Sequence, residues 1–500
     1  QFNPVIIRKS KHYICKAKTI HFPYTLNGQS LYTGTGTAIG LEHPQRIGGL
    51  LCHLLSAVSF RLYIGEYDMK QYYMQQLETY FDDDGKSTGF KTNFDQLMIT
   101  GLQALLKDPN SATAKSQFVG YAGALTDYFN GMAGNLEKVQ KDINQEIKLK
   151  VDQINSLAGE IASLNKQINT IELAGTKANE LRDRRTLLID ELSKIVDVEV
   201  KETPIIDANN ENRETGANRY MVKIAGGQML VDGSDYNGLE CVARTSYEKV
   251  NQTDIDGLYE IYWADGQKFN LYNASMGGDL AGLIQMRDGN NGENFSGQVT
   301  ATGTTTVDGK THDTVTVKVT KAYLQDLNKC NLSDQGGILD LGNQEFYYDS
   351  WEYTCEYDAN GNATYSYTFT LSDSEKNPRG ITNDRVGKKA EIGTNLSYQG
   401  IPYYMNQMNE WIRTFSQKFN DILTSGYSGN GDPGVKMFTG NKATGGEQFL
   451  LDDAAKRYDK QEKKNSKVTV KVNDDSYYRL TAKNFDILDA MEQDPSLMAN

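Results

Sequence analysis

Hydrophobic residues recur at helical spacing along much of the first 200 residues. The most regular stripe alternates steps of three and four: Ile154, Leu157, Ile161, Leu164, Ile168 and Ile171. It extends backwards through Leu136, Ile143 and Ile147. Because residues 136–171 contain no proline, they predict one continuous helix about 54 Å long, packed in a coiled coil or a bundle of long helices.

Shorter stripes predict helices on both sides of this one. Residues 66–80 and 94–105 each carry an apolar face, and Asn110 or Ser111 can cap the helix that comes next. Residues 178–195 predict a further helix.

The helical pattern returns late in the chain, at residues 403–423, and Gly426 lies just past its end. The apolar stripe of this returning helix comprises Tyr404, Met408, Trp411, Phe415, Phe419 and Ile422. It has no other obvious partner than the earlier helices, which predicts that all of them share one bundle.

Between these helices the hydrophobic period changes to two, which is typical of strands. Two consecutive predicted strands alternate apolar, mostly aromatic, residues with polar ones. The apolar positions are Tyr347, Trp351, Tyr353, Cys355 and Tyr357 on the first strand, and Tyr365, Tyr367, Phe369 and Leu371 on the second. We favour one packed face of a sheet for this stripe, with sugar stacking as the alternative.

The fold class predicted is α+β and multidomain, a discontinuous α-helical bundle with long coiled-coil-like helices and inserted β-rich domains. The predicted divisions are an atypical segment at 1–64, the first part of the bundle at 65–196, a β-rich domain at 197–289, an inserted β domain at 290–398, the returning helix at 399–426, and loops and short strands at 427–500 without closing helices.

Charge, hydropathy and cysteine usage argue against several classes of protein. The net charge of -13 argues against nucleic-acid binding, which needs a basic surface. The longest apolar run, 47–60, is too short to span a bilayer, and no signal peptide is readable. The five cysteines form no CxxC pair, so we expect free thiols, with a Cys330–Cys355 bridge as the alternative.

No catalytic, cofactor or metal site is predicted. His312 is the one histidine beyond residue 64, so a Cys/His nucleophile would need it beside a distant cysteine, and a turn is the simpler expectation. Asp358, Asn360 and Asn362 have the spacing of calcium ligands, but the twelfth position of such a loop is Phe369, which favours a hairpin turn.

Residues 154–168 and 179–193 resemble the long helices of the flagellar hook-associated protein 1 family. The second carries that family's characteristic order of side chains: Asn179, Leu181, Asp183, Arg185, Leu187 and Leu188, although Thr186 stands where the family often has Asp. Residues 277–283, 401–426 and 494–497 agree with other family segments, and 290–398 does not.

The resemblance implies a structural subunit without enzymatic activity, a rod with β domains pointing outward, at the junction of hook and filament. The partners it implies are copies of the chain in a ring, the hook protein, the filament-side junction protein, and the flagellar type III exporter with its chaperone. It implies export to the flagellum without a cleaved signal. Alternatives are another axial protein, such as the filament-side junction protein or a flagellin, or a glycan-binding module displayed on a coiled coil.

Residues 1–64 depart from the rest of the chain. They carry seven Lys/Arg against the single acid Glu42, and four of the five histidines. The family's Asn-Ala-Asn-Thr-x-Gly-Tyr-Ser-Arg-like motif and its paired terminal helices are not readable. We expect a reading-frame or assembly error before about Gly65, with a divergent basic arm as the alternative, and we expect a chain lacking both terminal helices to stay monomeric.

Overall fold

The computed structural model describes residues 65–81, 89–207, 210–443, 445–452, 463–473 and 475–500, together with two isolated two-residue strands at Thr25–Leu26 and Gln29–Ser30. The expectations for residues 1–64 otherwise lie outside the described residues.

The helical part of the structure has one long member. The helices are α1 (65–81), α2 (Phe90–Asp95), α3 (Leu102–Lys107), α4 (Ala112–Leu173), α5 (Asn179–Ile195), α6 (Gly278–Asp288), α7 (Ala322–Gln325), α8 (Ile401–Ser425) and α9 (Asp489–Gln493). Among the described residues, no helix is both long and apolar enough to cross a membrane.

The long helix α4 runs for 62 residues, which is about 93 Å at the usual helical rise. It starts earlier than the apolar stripe alone predicted, because alanines and aromatic residues continue the buried face towards its N-terminus. Of the two predicted candidates, Ser111 is the N-cap, and its Oγ accepts from the amide of Ala114 at 3.3 Å. Ile171 is 38% exposed, so its predicted place on the buried stripe is wrong.

The predicted helix at 94–105 is three segments rather than one. A π-helix, Gln96–Gly101, separates α2 from α3, and Leu97 is buried within it. A Cβ at Gly101 would lie 2.7 Å from the Phe118 ring, so a glycine permits close approach to α4 here.

The strands are β1 (Val198–Asp207), β2 (Asn210–Ile224), β3 (Gln228–Asp232), β4 (Asp235–Tyr236), β5 (Leu239–Ala243), β6 (Tyr259–Trp263), β7 (Ser296–Val307), β8 (Lys310–Val319), β9 (Gly337–Leu341), β10 (Glu345–Tyr357), β11 (Ala363–Leu371), β12 (Lys389–Glu391), β13 (Phe438–Gly440), β14 (Ser466–Lys471) and β15 (Phe485–Ile487). Strands β1 to β4 form one antiparallel sheet in sequence order, and β5 pairs with β6. Strand β13 pairs with β15.

Six strands close into an antiparallel barrel in the order β9-β12-β7-β8-β11-β10, with β10 returning to β9. Its interior holds the predicted aromatic stripe, because Trp351, Tyr353, Tyr367 and Phe369 are all buried. The packed-face interpretation is therefore confirmed for these residues. It is wrong for Tyr347, because a bulge between Tyr348 and Ser350 places Tyr348 on the buried face instead.

A seventh strand, β14, pairs with β10 from outside the predicted 290–398 division. Its register places Lys471 opposite Glu352 and Lys467 opposite Glu356. Opposite charges across an antiparallel pair favour this register. The predicted boundary at 398 thus omits one strand of the sheet.

Helix α8 packs on α4 through stacked aromatic rings. The ring centroids of Phe129 and Trp411 lie 5.1 Å apart, and those of Phe118 and Phe419 lie 5.9 Å apart. Ile422, however, is 70% exposed, so it does not belong to the buried stripe. The residues beside the barrel's entry and exit are adjacent, since the amide of Gly400 donates to the carbonyl of Gly289 at 3.0 Å.

The class α+β and the continuous α4 follow the sequence pattern. Cys241, Cys330 and Cys355 are free thiols in the structure. His312 lies in strand β8 rather than in the predicted turn, and its Nδ1 is 3.1 Å from the carbonyl oxygen of Leu371.

Candidate functional site

The long helix α4 carries a row of amide side chains beside its apolar stripe. Each of them bonds main-chain atoms of another segment: Asn130, Gln140, Asn144, Asn155, Asn165 and Asn169. At 100° per residue their positions fall within an arc of about 100° of the helix surface. The row therefore forms one continuous face against which strands and loops are held.

Two of these amides bind both the N–H and the C=O of a single residue. Asn155 Nδ2 donates to the carbonyl of Leu239 at 2.8 Å, and its Oδ1 accepts from the amide of the same residue at 2.8 Å. Asn169 does the same at Asn218, with both distances 2.9 Å. An amide side chain used in this way replaces a neighbouring strand, so each pair ties strand β5 or β2 to the helix.

Near its middle, α4 meets a buried ionic cluster. Asn144 Oδ1 accepts from Arg287 at 3.0 Å, and Arg287 pairs with Asp288 at 2.6 Å. Arg244 pairs with both Glu260, at 2.7 Å, and Asp288, at 3.1 Å. Burial alone would raise the pKa of Asp288, but the charges of Arg244 and Arg287 hold it well below its ordinary value.

Helix α8 has a second, polar face that is also buried. This face comprises Asn406, Asn409, Arg413, Ser416, Gln417 and Asn420, all at most 3% exposed. We call it the α8 polar stripe. Asn420 Nδ2 donates to the carbonyl of Phe438 at 2.7 Å, and its Oδ1 accepts from the same residue's amide at 3.0 Å. The stripe therefore binds main chain, as the α4 row does.

Arg413 is the most connected member of the α8 polar stripe. Its guanidinium donates to the carbonyls of Leu480 at 3.0 Å, Asn328 at 3.2 Å and Cys330 at 3.0 Å, and to Gln252 Oε1. Desolvation by burial lowers its pKa. Arg413 thus connects α8 to two other segments, one containing Asn328 and Cys330 and one containing Leu480, through hydrogen bonds to their carbonyls.

The segment contacted by Arg413, residues 324–333, is held from several directions; we call it the joint segment. Eight of its carbonyls accept a hydrogen bond from elsewhere: Leu324 from Tyr367, Gln325 from Tyr353, Asn328 and Cys330 from Arg413, Lys329 from Asn406, Asn331 from the Gln252 amide, Leu332 from Tyr478, and Ser333 from Trp351. The donors come from the barrel interior, from α8 and from two other segments. The joint segment therefore fixes the barrel to the helices.

The residues weighed for chemistry have structural positions. Asp358 Oδ1 accepts from the amides of Asn360 and Asn362 at 2.8 Å each, which makes the predicted hairpin turn between β10 and β11. Within the described residues no group of three or more His, Cys, Asp or Glu side chains could hold a metal ion. Desolvation raises the pKa of the Cys330 thiol, which is fully buried.

Sequence reasoning missed the amide rows, and it treated Gln140 as a polar interruption of the apolar stripe. Gln140 is 1% exposed, and its Nε2 donates to the carbonyl of Arg287 at 3.0 Å. The sequence did contain a signal for this row: amide residues flank the apolar stripe and are separated by nearly whole numbers of helical turns. Asn and Gln on a buried flank of a helix point to main-chain partners, since such groups must be paired.

Residues 74–308 match the family model of the flagellar hook-associated protein FlgK helical domain. Over these residues the chain is similar to flagellar hook-associated protein 1. The resemblance predicted from residues 154–193 is therefore confirmed, whereas the predicted resemblance of 399–500 lies outside the matched residues.

Two hook-associated proteins 1 are similar to this chain over shorter stretches. That of Bacillus subtilis is 34% identical over 139 residues, covering 27% of this chain and 26% of the relative. That of Escherichia coli is 34% identical over 149 residues, covering 29% and 25%. The match thus spans about a quarter of the length of these relatives.

One solved structure, the flagellar hook junction protein FlgK from Burkholderia pseudomallei, is 19% identical, with a TM-score of 0.37, and the match covers 69% of this chain and 63% of that one.

Proposed function

We propose that the chain is a structural subunit of the bacterial flagellum, joining hook and filament by self-assembly and stacking. The observation that supports this best is the match of residues 74–308 to a helical domain of hook-associated proteins. Those residues include all of α4, which is long enough to act as the axial strut of such a subunit.

The architecture of the proposed subunit is a discontinuous helical domain with inserted β domains. Helix α8 packs back on α4, and Gly289 and Gly400 bring the two ends of the barrel excursion together. The amide row and the joint segment then hold the β domains at fixed places along the helices. Rigid attachment suits a junction that transmits torque without chemistry, so the proposal assigns no enzymatic activity.

The proposed partners are copies of this chain in a ring, the hook protein and the filament-side junction protein. Export by the flagellar type III exporter with a chaperone, and a place outside the cell on the flagellum, belong to the same proposal. The glycan-binding alternative is not favoured, because Tyr353 and Tyr367 point inward and donate to carbonyls of the joint segment.

Electron microscopy of flagella from the native organism tests this function, with a gold-labelled antibody raised against the purified barrel-containing chain. We expect label concentrated at one band between hook and filament. Deleting the gene should give hooks without filaments, and a copy carrying Ser163→Asp should restore filaments whereas Leu157→Asp should not. Label along the whole filament, or filaments of normal length after deletion, would contradict the proposal.

A further inference from the structure

The α8 polar stripe contains polar atoms that no protein group satisfies. Within the described residues, four of its buried side-chain atoms have no hydrogen-bond partner: Asn406 Oδ1, Asn409 Nδ2, Ser416 Oγ and Gln417 Nε2. In the joint segment, which the stripe contacts, both Oδ1 and Nδ2 of Asn331 are also unpartnered. The residues concerned are at most 8% exposed.

Two of these side chains, Asn406 and Asn409, are anchored at their other end. Asn406 Nδ2 donates to the carbonyl of Lys329 at 2.9 Å, and Asn409 Oδ1 accepts from the amide of Ala482 at 2.7 Å. Each amide thus places one end on a main-chain atom and directs the other end into the interface. Rotating either amide by 180° would not relieve this, because it would break the existing bond and leave both ends of the amide unpaired.

We propose that the interface between the α8 polar stripe and the segments crossing it, the joint segment and residues 477–485, contains ordered water molecules as part of the fold. A buried amide or hydroxyl without a partner is costly, and internal water is the usual partner when several such groups lie together. Donors and acceptors are both present, as a water molecule requires.

The electrostatics disfavour a metal ion as the occupant. Arg413 lies in the middle of the stripe and makes its hydrogen bonds to uncharged oxygens. A cation would be repelled by this guanidinium, and no carboxylate belongs to the stripe to hold one. Water therefore fits the charge of the interface better than a metal ion.

The consequence is a polar, hydrated joint between α8 and the C-terminal segment in place of a dry apolar one. Such a joint keeps its geometry only while its water molecules are bound, so removing one polar group should cost stability although no protein–protein bond is lost. A dry interface predicts the opposite sign, because deleting an unsatisfied polar atom is neutral or stabilising.

Ser416→Ala separates these two cases, with Ser425→Ala on the exposed end of the same helix as the control. In urea unfolding we expect Ser416→Ala to raise the unfolding constant about five- to tenfold over the native chain. Asn331→Leu, which keeps the side-chain volume, should act in the same direction. An unchanged or smaller unfolding constant for Ser416→Ala would overturn the proposal.

A structure of the full chain at about 1.8 Å resolution provides an independent readout that does not depend on how a variant folds. We expect density for water within hydrogen-bond distance of Ser416 Oγ and Asn331 Nδ2. Empty density there would overturn the proposal. So would stability that rises with chloride at constant ionic strength, since that would identify an anion beside Arg413.

Discussion

Arg182 holds Glu172 in a double hydrogen bond, with Nε to Oε1 at 2.7 Å and Nη2 to Oε2 at 2.6 Å. The pair closes the corner between α4 and α5, and Arg182 also reaches Glu202 of strand β1 at 3.0 Å. Arg185 beside it lies with its guanidinium carbon 3.5 Å from the ring centre of Tyr220. Two helices and a sheet are thus tied at one corner by arginines from the segment that resembles the hook-associated family.

This corner predicts a pH dependence of stability. The hydrogen bonds from Arg182 lower the pKa of Glu172 from 4.5 to about 2. Because the folded-state pKa is depressed, the contribution is complete above the unfolded value and is lost as the pH falls from about 4.5 to 2. The difference in unfolding temperature between the native chain and Glu172→Gln should therefore be largest near pH 7 and shrink over that range. A difference independent of pH would contradict the predicted charge effect.

The buried face of α4 predicts a strong contrast between neighbouring positions. Leu157 is 4% exposed and Ser163 is exposed. Leu157→Asp places an unpaired carboxylate in the core and should cost about 4 kcal/mol, whereas Ser163→Asp should change stability by less than about 0.5 kcal/mol. Leu164→Asp should resemble Leu157→Asp. Thermal unfolding followed by circular dichroism measures this, and equal unfolding temperatures for the three variants would refute the assignment of the buried face.

The apolar stripe made this face predictable, since period and burial agree from Leu136 to Ile168. Its end was not predictable, because Ile171 lies at the corner where the helix stops packing. Ile422 failed for another reason: at the end of α8 the neighbouring Leu423 is the buried residue. Periodicity indicates which residues share a face, but it does not indicate how far along the helix the partner extends.

The amide row illustrates a different limit. Asn155 and Asn169 look like ordinary polar positions in the sequence, and their partners lie 84 and 49 residues away. Strand β14 likewise pairs with β10, a strand that lies about 100 residues earlier in the chain. Local pattern predicts elements, whereas the choice among distant main-chain partners depends on tertiary geometry that one sequence does not reveal.

Asn155→Ala tests whether the amide row contributes to stability. The substitution removes both hydrogen bonds to Leu239 and leaves its amide and carbonyl without their partner, so we expect a loss of about 2 kcal/mol. Gln153→Ala, at an exposed position two residues earlier, is the control and should be nearly neutral. Hydrogen exchange at the Leu239 amide should accelerate in the first variant only. Unchanged protection there would show that the helix does not hold this strand.

The glycine beside the barrel's entry should tolerate no side chain. A Cβ at Gly289 would lie 2.3 Å from the carbonyl oxygen of Gln285 and 2.8 Å from that of Tyr398. Both are main-chain atoms of packed segments, so Gly289→Ala should cost about 3 kcal/mol or more.

Gly131, on the exposed side of α4, is the matched control, since a Cβ there would meet nothing within 4 Å. Gly131→Ala should stabilise the chain by about 0.5–1 kcal/mol, because alanine favours the helix. Equal effects of the two substitutions would mean that the main chain around Gly289 can move to accept a Cβ, contrary to the close contacts described above.

Arg413→Lys tests the joint between α8 and the barrel. Both side chains are cationic, but the ammonium is a compact group that cannot reach three carbonyls lying on two separate segments. Because Arg413 is fully buried and donates to Leu480, Asn328 and Cys330, the substitution should leave acceptors unpaired and cost about 3 kcal/mol or more. The loss should appear as faster hydrogen exchange in the joint segment and in residues 477–485, with α4 less affected. A uniform acceleration over the whole chain would instead show that Arg413 supports the entire fold rather than the attachment of the barrel.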